Sequence, residues 1–193
     1  MKALEIIKMG SKLLKEKKIP SFILDSEILL SKTLNQPREK ILIILDQKIN
    51  KKDILIFREY LLRRSKNEPI AYILEEKEFW SKKFKINKHT LIPRPETELL
   101  VEELLNIFKG KKISILDIGT GSGCILISLL CDLKKSIGIG IDTSKNAILM
   151  AKKNANKHNL LGRIKFVNKS FENIFNKKFD LVVSNPPYIE KKD

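Results

Sequence analysis

Cysteine and arginine are scarce in this 193-residue sequence, and a long apolar run is missing altogether. The two cysteines, Cys124 and Cys131, lie seven apart in an expected helix. They are too few, and too apolar in context, for a disulfide framework or a metal cage. Core packing is therefore expected for both, and no metal is expected. No stretch approaches the roughly 18 uninterrupted apolar residues that a bilayer-spanning helix needs. The start, "MKALEIIKMGSKLLKEKK", carries charges throughout and lacks a small-residue cleavage site, so a cytoplasmic location is expected. Internal repeats and low-complexity segments are also lacking, and with 42% hydrophobic and 32% charged residues the chain reads as soluble and globular. Its length allows one large domain or two small ones.

Charge of one sign is abundant: the formal net charge is +15. Basic excess of this size points first to nucleic acid. Yet only six of the 38 basic residues are arginine, and the lysines are spread along the whole chain. A basic stripe interleaved with aromatics, which base stacking needs, is lacking. What the charge does imply is a preference for acidic partners, screened beyond about 8 Å at physiological salt.

Two halves differ in pattern. Residues 1–70 read as a small bundle of short helices. "ALEIIKMGSKLLKEK" has Leu4, Ile7 and Leu14 near helical spacing, with Gly10 as a weak point. After "LDSEILLSKTL" and "REKILIILDQ", Asn50 looks like the N-cap of a helix with Asp53 in its first turn and Ile54, Phe57 and Leu61 on one face. Residues 71–98 contain an alternating patch at Phe84–Asn87 and prolines at 93 and 95, the pattern of a strand pair that ends in a stiff connection. This segment is expected to bridge two domains. A helix follows with Pro95 near its first turn and acidic residues at its start, closing at Gly110. Within 99–193, "ISILDI", "IGIGID", "IKFVN" and "FDLVVSN" alternate with helices near 124–134 and 144–158. That alternation predicts a doubly wound parallel α/β sheet, which binds ligands at the carboxyl ends of its strands.

Two motifs fall at those ends. "ILDIGTGSGCI" places Asp117 and the loop Gly119, Thr120, Gly121, Ser122, Gly123 between the first strand and its helix. Glycines permit a sharp turn and a close ligand, and the helix beyond presents free N–H groups. The spacing G-x-G-x-G differs from the dinucleotide fingerprint, and no Gly-Lys-Ser/Thr follows as in a P-loop. Asp142, closing the second strand, suits two ribose hydroxyls. Asp117 suits a cationic ligand better than a pyrophosphate, which favours S-adenosyl-L-methionine, a ligand with an ammonium, a sulfonium and no phosphate. The second motif, Asn185-Pro186-Pro187-Tyr188, ends the fourth strand. Prolines donate no N–H, so the Asn185 side-chain oxygen and the Pro186 carbonyl are free to accept both hydrogens of a planar –NH2. Tyr188 offers a stacking face.

These residues resemble the HemK/PrmC family, the methyltransferases that modify a glutamine of peptide chain release factors. "NEPIAYILEEKEFW", "LIPRPETELLV", "ILDIGTGSGCI" and "FDLVVSNPPYI" occur in the family's order and approximate spacing, from about residue 67 to 190. The resemblance implies a class I methyltransferase fold behind an N-terminal helical domain, and a release factor as the protein partner. It implies S-adenosyl-L-methionine on Gly119–Gly123, Asp142 and Asn185, and the substrate glutamine on Asn185–Tyr188. The family also sets a residue just after the third strand against the adenine. Here "NKSFENI" offers Ser170 or Phe171, one residue short and without the family's acid. Glu75 stands where the family commonly has glycine. Family members continue well past the proline motif, so a truncated product or fragment is expected, with the apolar fourth strand at the edge of a 3-2-1-4 sheet. Two other functions stay open at this point. One is methylation of an exocyclic adenine amine in nucleic acid; the other is a non-catalytic binder of cofactor or release factor.

Overall fold

The computed structural model describes residues 1–173 and 178–186 and divides the chain into two compact units, residues 1–74 and 75–193. The first is helical: α1 (Ala3–Glu16), α2 (Phe22–Leu34), α3 (Arg38–Ile43), α4 (Lys51–Ser65) and α5 (Ile70–Leu74). Asn50 caps α4 as its residue type favours, its side-chain oxygen accepting the Asp53 N–H at 2.8 Å. Ile6, Leu14, Leu29, Leu30, Ile41 and Phe57 form a fully buried core. Gly10, which the helical pattern marks as a weak point, is buried inside α1 instead of breaking it. A Cβ there would meet the Ser26 hydroxyl and come within 2.8 Å of the Phe57 ring, so the missing side chain is what lets α2 and α4 approach α1. Packing outweighs the propensity cost of roughly 1 kcal/mol for a helical glycine.

The second unit opens with an antiparallel hairpin, β1 (Glu76–Phe79) and β2 (Lys82–Lys85). The alternation around Phe84 is realised, with Phe84 and Ile86 buried and Lys85 exposed. Trp80 and Ser81 turn the hairpin with φ of 52° at both positions, the left-handed pair that a two-residue turn of matching twist requires. Glu75, immediately before β1, has φ 58°. That is a conformation glycine adopts at no steric cost. The family's usual glycine at this position thus has a backbone reason, and Glu75 meets it as a strained residue.

Next come α6 (Glu96–Phe108), β3 (Ser114–Ile118), α7 (Cys124–Asp132), β4 (Ile137–Asp142), α8 (Lys145–Lys157), β5 (Ile164–Asn168), a 3₁₀ turn (Phe171–Asn173) and β6 (Leu181–Ser184). Their sheet is wholly parallel with the order β5-β4-β3-β6, the expected 3-2-1-4. Each strand reads as a short apolar run because helices cover it. Ile115, Val183 and Phe166 are buried in one cluster with α7 residues Leu126, Ile127, Leu129 and Leu130. Among the described strands β6 lies at the edge of this sheet, with Val182 exposed. No helix among the described residues is long and apolar enough to cross a membrane.

Candidate active site

The carboxyl ends of β3, β4 and β6 meet at one place. β3 and β6 pair with Ile118 opposite Ser184, and the Ser184 hydroxyl donates to the Ile118 carbonyl at 2.9 Å. The next residues, Gly119 and Asn185, therefore leave the sheet side by side. The two motifs, 66 positions apart in sequence, become neighbours through strand register.

The glycine loop folds as its composition demands. Gly119, Gly121 and Gly123 have φ of 70°, 55° and 80°, all in the left-handed region. The crowding is greatest at Gly123, where a Cβ would stand 3.0 Å from Ile127 and 3.3 Å from both Ala151 and Phe166. Gly123 caps α7 without a side chain of its own. The loop is tied down by the Thr120 N–H donating to the Ile141 carbonyl at 2.9 Å and the Gly123 N–H to the Thr120 carbonyl at 2.8 Å.

Both predicted carboxylates shape this loop, in different ways. Asp142 stands at the end of β4. Its Oδ2 accepts the Gly121 N–H at 2.9 Å and its Oδ1 the Ser144 N–H at 2.8 Å. Each oxygen retains a further acceptor site, so the carboxylate can hold the loop and still receive hydroxyls. Asp117 points inward. It is 1% exposed, and it accepts the Thr120 hydroxyl at 2.6 Å and the Leu126 N–H in the first turn of α7. Burial pushes its carboxyl up to about 6, and the charge of Asp142 adds to the rise. The Asp142 carboxylate at the loop, with no lysine following the glycines, disfavours a pyrophosphate there.

Asn185 is half-buried, and its Nδ2–H donates to the Thr97 hydroxyl at 3.0 Å. Thr97 belongs to the first turn of α6, inside the "RPETE" string. Pro186 is exposed, while Pro187 and Tyr188 lie outside the described residues. Ser170, half-buried, and Phe171, 56% exposed, follow β5 at the neighbouring strand end. The residue that fixes that end is Asn168, whose Nδ2 donates to the carbonyls of Asp142 and Thr143 at 2.8 Å each.

Three polar residues escape sequence reasoning. Asn154, on α8 and fully buried, donates to the Ser122 carbonyl at 2.8 Å and the Lys85 carbonyl at 2.9 Å, and accepts the Lys85 N–H at 2.7 Å. It fastens the glycine loop to the hairpin. The other two are Thr97 and Glu98; the latter accepts the Trp80 N–H at 2.9 Å. A buried-face asparagine inside a polar helix is the only sign that the sequence offers of the first. Among the described residues no cluster of His, Cys, Asp and Glu has the makings of a metal site.

Comparison with known proteins places this geometry. Residues 95–193 match the methyltransferase small domain, and residues 5–74 match the PrmC N-terminal domain. The release factor glutamine methyltransferase of Leptospira interrogans is 42% identical over 98% of this chain and 68% of its own length. The Buchnera aphidicola protein of the same name is 43% identical over 88% and 61%. A bifunctional methyltransferase of Rickettsia conorii is 43% identical over 86% of this chain, which spans only 37% of that protein's length. Among solved structures, the Pyrococcus abyssi tRNA (uracil-54, C5)-methyltransferase aligns over 58% of this chain and 28% of its own at 24% identity and a TM-score of 0.47, too low to carry an argument. With a helical unit of the PrmC type ahead of a methyltransferase small domain, and a relative matched over two thirds of its length, this chain belongs to the release factor glutamine methyltransferase family.

Proposed function

We propose that this chain carries the methyl-transfer unit of its family, acting on the side-chain amide nitrogen of a glutamine in a peptide chain release factor, in the cytoplasm. The observation that supports it most is the adjacency of Gly119 and Asn185 at the ends of paired strands. In this reading it would bring a cofactor loop beside the acceptor groups that an amide requires.

In this reading S-adenosyl-L-methionine, when bound, supplies an electrophilic methyl group. The loop Gly119–Gly123 would hold it, with Asp142 receiving its ribose and Ser170 or Phe171 its base. The carboxylate of Asp142 would favour its positive charge. The chain's own contribution to the reaction is placement. An amide nitrogen is a poor nucleophile because its lone pair is delocalised. Asn185 Oδ1 and the Pro186 carbonyl would accept its two hydrogens, fix its plane, and turn the nitrogen toward the loop; Pro187 and Tyr188 would close the seat. Orientation of this kind lowers a barrier by about 7–11 kcal/mol in well-aligned cases. No general base is required, since the product sheds its proton after transfer.

Incubation with methyl-labelled cofactor and either a release factor or RNA and DNA tests this proposal. Label on the release factor, recovered as N5-methylglutamine, is the expected result. Label on nucleic acid alone would move the assignment to an adenine amine, and cofactor binding without transfer to any of them would make the chain a binder.

A further inference from the structure

β6 is four residues long, and among the described strands it pairs with β3 alone. Its register with β3 decides where Asn185 stands relative to Gly119, because Ser184 lies opposite Ile118. The apolar side chains of the strand do little to choose that register. Leu181, Val182 and Val183 are all apolar, so a slip by one residue exchanges one apolar side chain for another. Such a slip would carry Asn185 about 3.3 Å along the sheet and turn its side chain to the opposite face.

The observed register has a side-chain clamp at each end. At the carboxyl end the Ser184 hydroxyl donates to the Ile118 carbonyl at 2.9 Å. At the amino end Asp180, exposed and just ahead of β6, faces Ser114, the first residue of β3. Its Oδ2 accepts both the Ser114 N–H and the Ser114 hydroxyl at 2.7 Å, and its own N–H donates to the Ser114 carbonyl at 3.0 Å. A backbone N–H only donates and a carboxylate only accepts, so the side-chain bonds have one possible sense. The Ser114 N–H first, and its hydroxyl second, hold the Asp180 carboxyl below its ordinary value. A slip by one residue would bring Phe179 or Leu181 to Ser114, and neither has an acceptor side chain.

We infer that Asp180 is a positioning residue that locks β6 in register with β3 and thereby places Asn185 beside the glycine loop. The inference deepens the proposed function and rests on it. Asp180 stands about 16 Å along the strand from Asn185, so it acts through the strand and not on the substrate. The glycine loop follows β3 and is tied to β4, and both strands keep their pairing without Asp180. Loss of the lock therefore misplaces the amide seat and leaves the cofactor loop intact. A misplacement of 1 Å already costs a reaction of this kind about a hundredfold.

The test compares wild type, Asp180→Ala, Asp180→Asn and Ser114→Ala on a release factor with methyl-labelled cofactor. Alanine at 180 removes the acceptor. Asparagine keeps an oxygen that can take both Ser114 donors. Asp180→Ala should lose about tenfold or more in kcat, with one cofactor bound per chain and cofactor Kd within about twofold of wild type. A residue that only stabilised the fold would lower Tm and leave kcat of the folded, cofactor-saturated protein unchanged, and that result would overturn the inference. Asp180→Asn should recover kcat to within about threefold of wild type, and damage equal to that of alanine would overturn the inference too. Should Asp180→Ala not fold, Ser114→Ala decides, since it removes one of the two bonds to Oδ2: a loss of about threefold in kcat supports the lock, and no loss refutes it. Failure of wild type to methylate a release factor would remove the function itself. The register is then read alone, by hydrogen exchange of the β6 amides that bond to β3. Exchange at least about tenfold faster in Asp180→Ala than in wild type, with the β4 amides changed by less than about threefold, supports the lock, and equal rates in β6 refute it.

Discussion

Asn154→Ala would remove a side chain that holds three backbone groups at once: the Lys85 N–H at 2.7 Å, the Lys85 carbonyl at 2.9 Å and the Ser122 carbonyl at 2.8 Å. The Ser122 bond is buried, and the two to Lys85 are partly so. A buried group left without a partner costs about 1–3 kcal/mol, and a partly exposed one about 1 kcal/mol because water can reach it. The sum is about 4 kcal/mol. Alanine's better helix propensity returns roughly 0.5 kcal/mol, leaving a net loss of about 3.5 kcal/mol. The single tryptophan, Trp80, sits in the hairpin turn of the same unit, so its fluorescence reports that unit alone in urea. This avoids treating two units as one two-state transition. For a unit of this size the loss corresponds to roughly 10 °C or more in Tm. Asn154→Asp, although nearly isosteric, should be worse than alanine, because it keeps the acceptor and turns a negative oxygen on two carbonyls. A loss below about 0.5 kcal/mol for Asn154→Ala, or an aspartate variant as stable as wild type, would refute this reading of the clamp.

Two further expectations concern the loop and the carboxylate of Asp117. Asp117, with its carboxyl raised by burial to about 6 from an ordinary 3.8, holds a proton longer in the folded than in the unfolded state. Its stabilising contribution is thus complete below about pH 4 and is lost as pH rises through 6, by up to about 3 kcal/mol. Urea titrations of wild type and Asp117→Asn between pH 4 and 7 should show that slope in the first and a flatter line in the second. Gly123→Ala should cost more than Gly121→Ala. Both adopt positive φ, worth about 1–2 kcal/mol, but only at Gly123 does a methyl press on Ile127, Ala151 and Phe166, adding about 1–3 kcal/mol. The two melting temperatures, measured side by side, check the order.

The parallel sheet was legible in the sequence because each strand is a short apolar run whose polar end marks the site. "IGIGID" and "IKFVN" coincide with β4 and β5, and the order of the four strands follows from the usual winding of such sheets. The α4 cap was equally legible, since Asn50 and Asp53 act over three residues. What sequence could not show were partners far apart in the chain. Asn185 and Thr97 are separated by 88 positions, and Asn154 and Lys85 by 69. Nothing local to these residues names the other member of the pair. Asp117 illustrates a different gap: residue type and position suggested a carboxylate facing a cation, while the fold turns it inward onto Thr120 and the first turn of α7. Gly10 shows a third, where a helix-weakening residue is kept for the approach of two neighbouring helices.

The central claim is that Asn185 seats the substrate amide while the glycine loop holds the cofactor separately. Asn185→Ala measures it directly, by kcat/KM on a release factor and by cofactor Kd in the same preparation. A fall of about a hundredfold or more in kcat/KM with cofactor Kd within about twofold of wild type is the result predicted. Turnover equal to wild type, or a loss carried entirely by weakened cofactor binding, would contradict it.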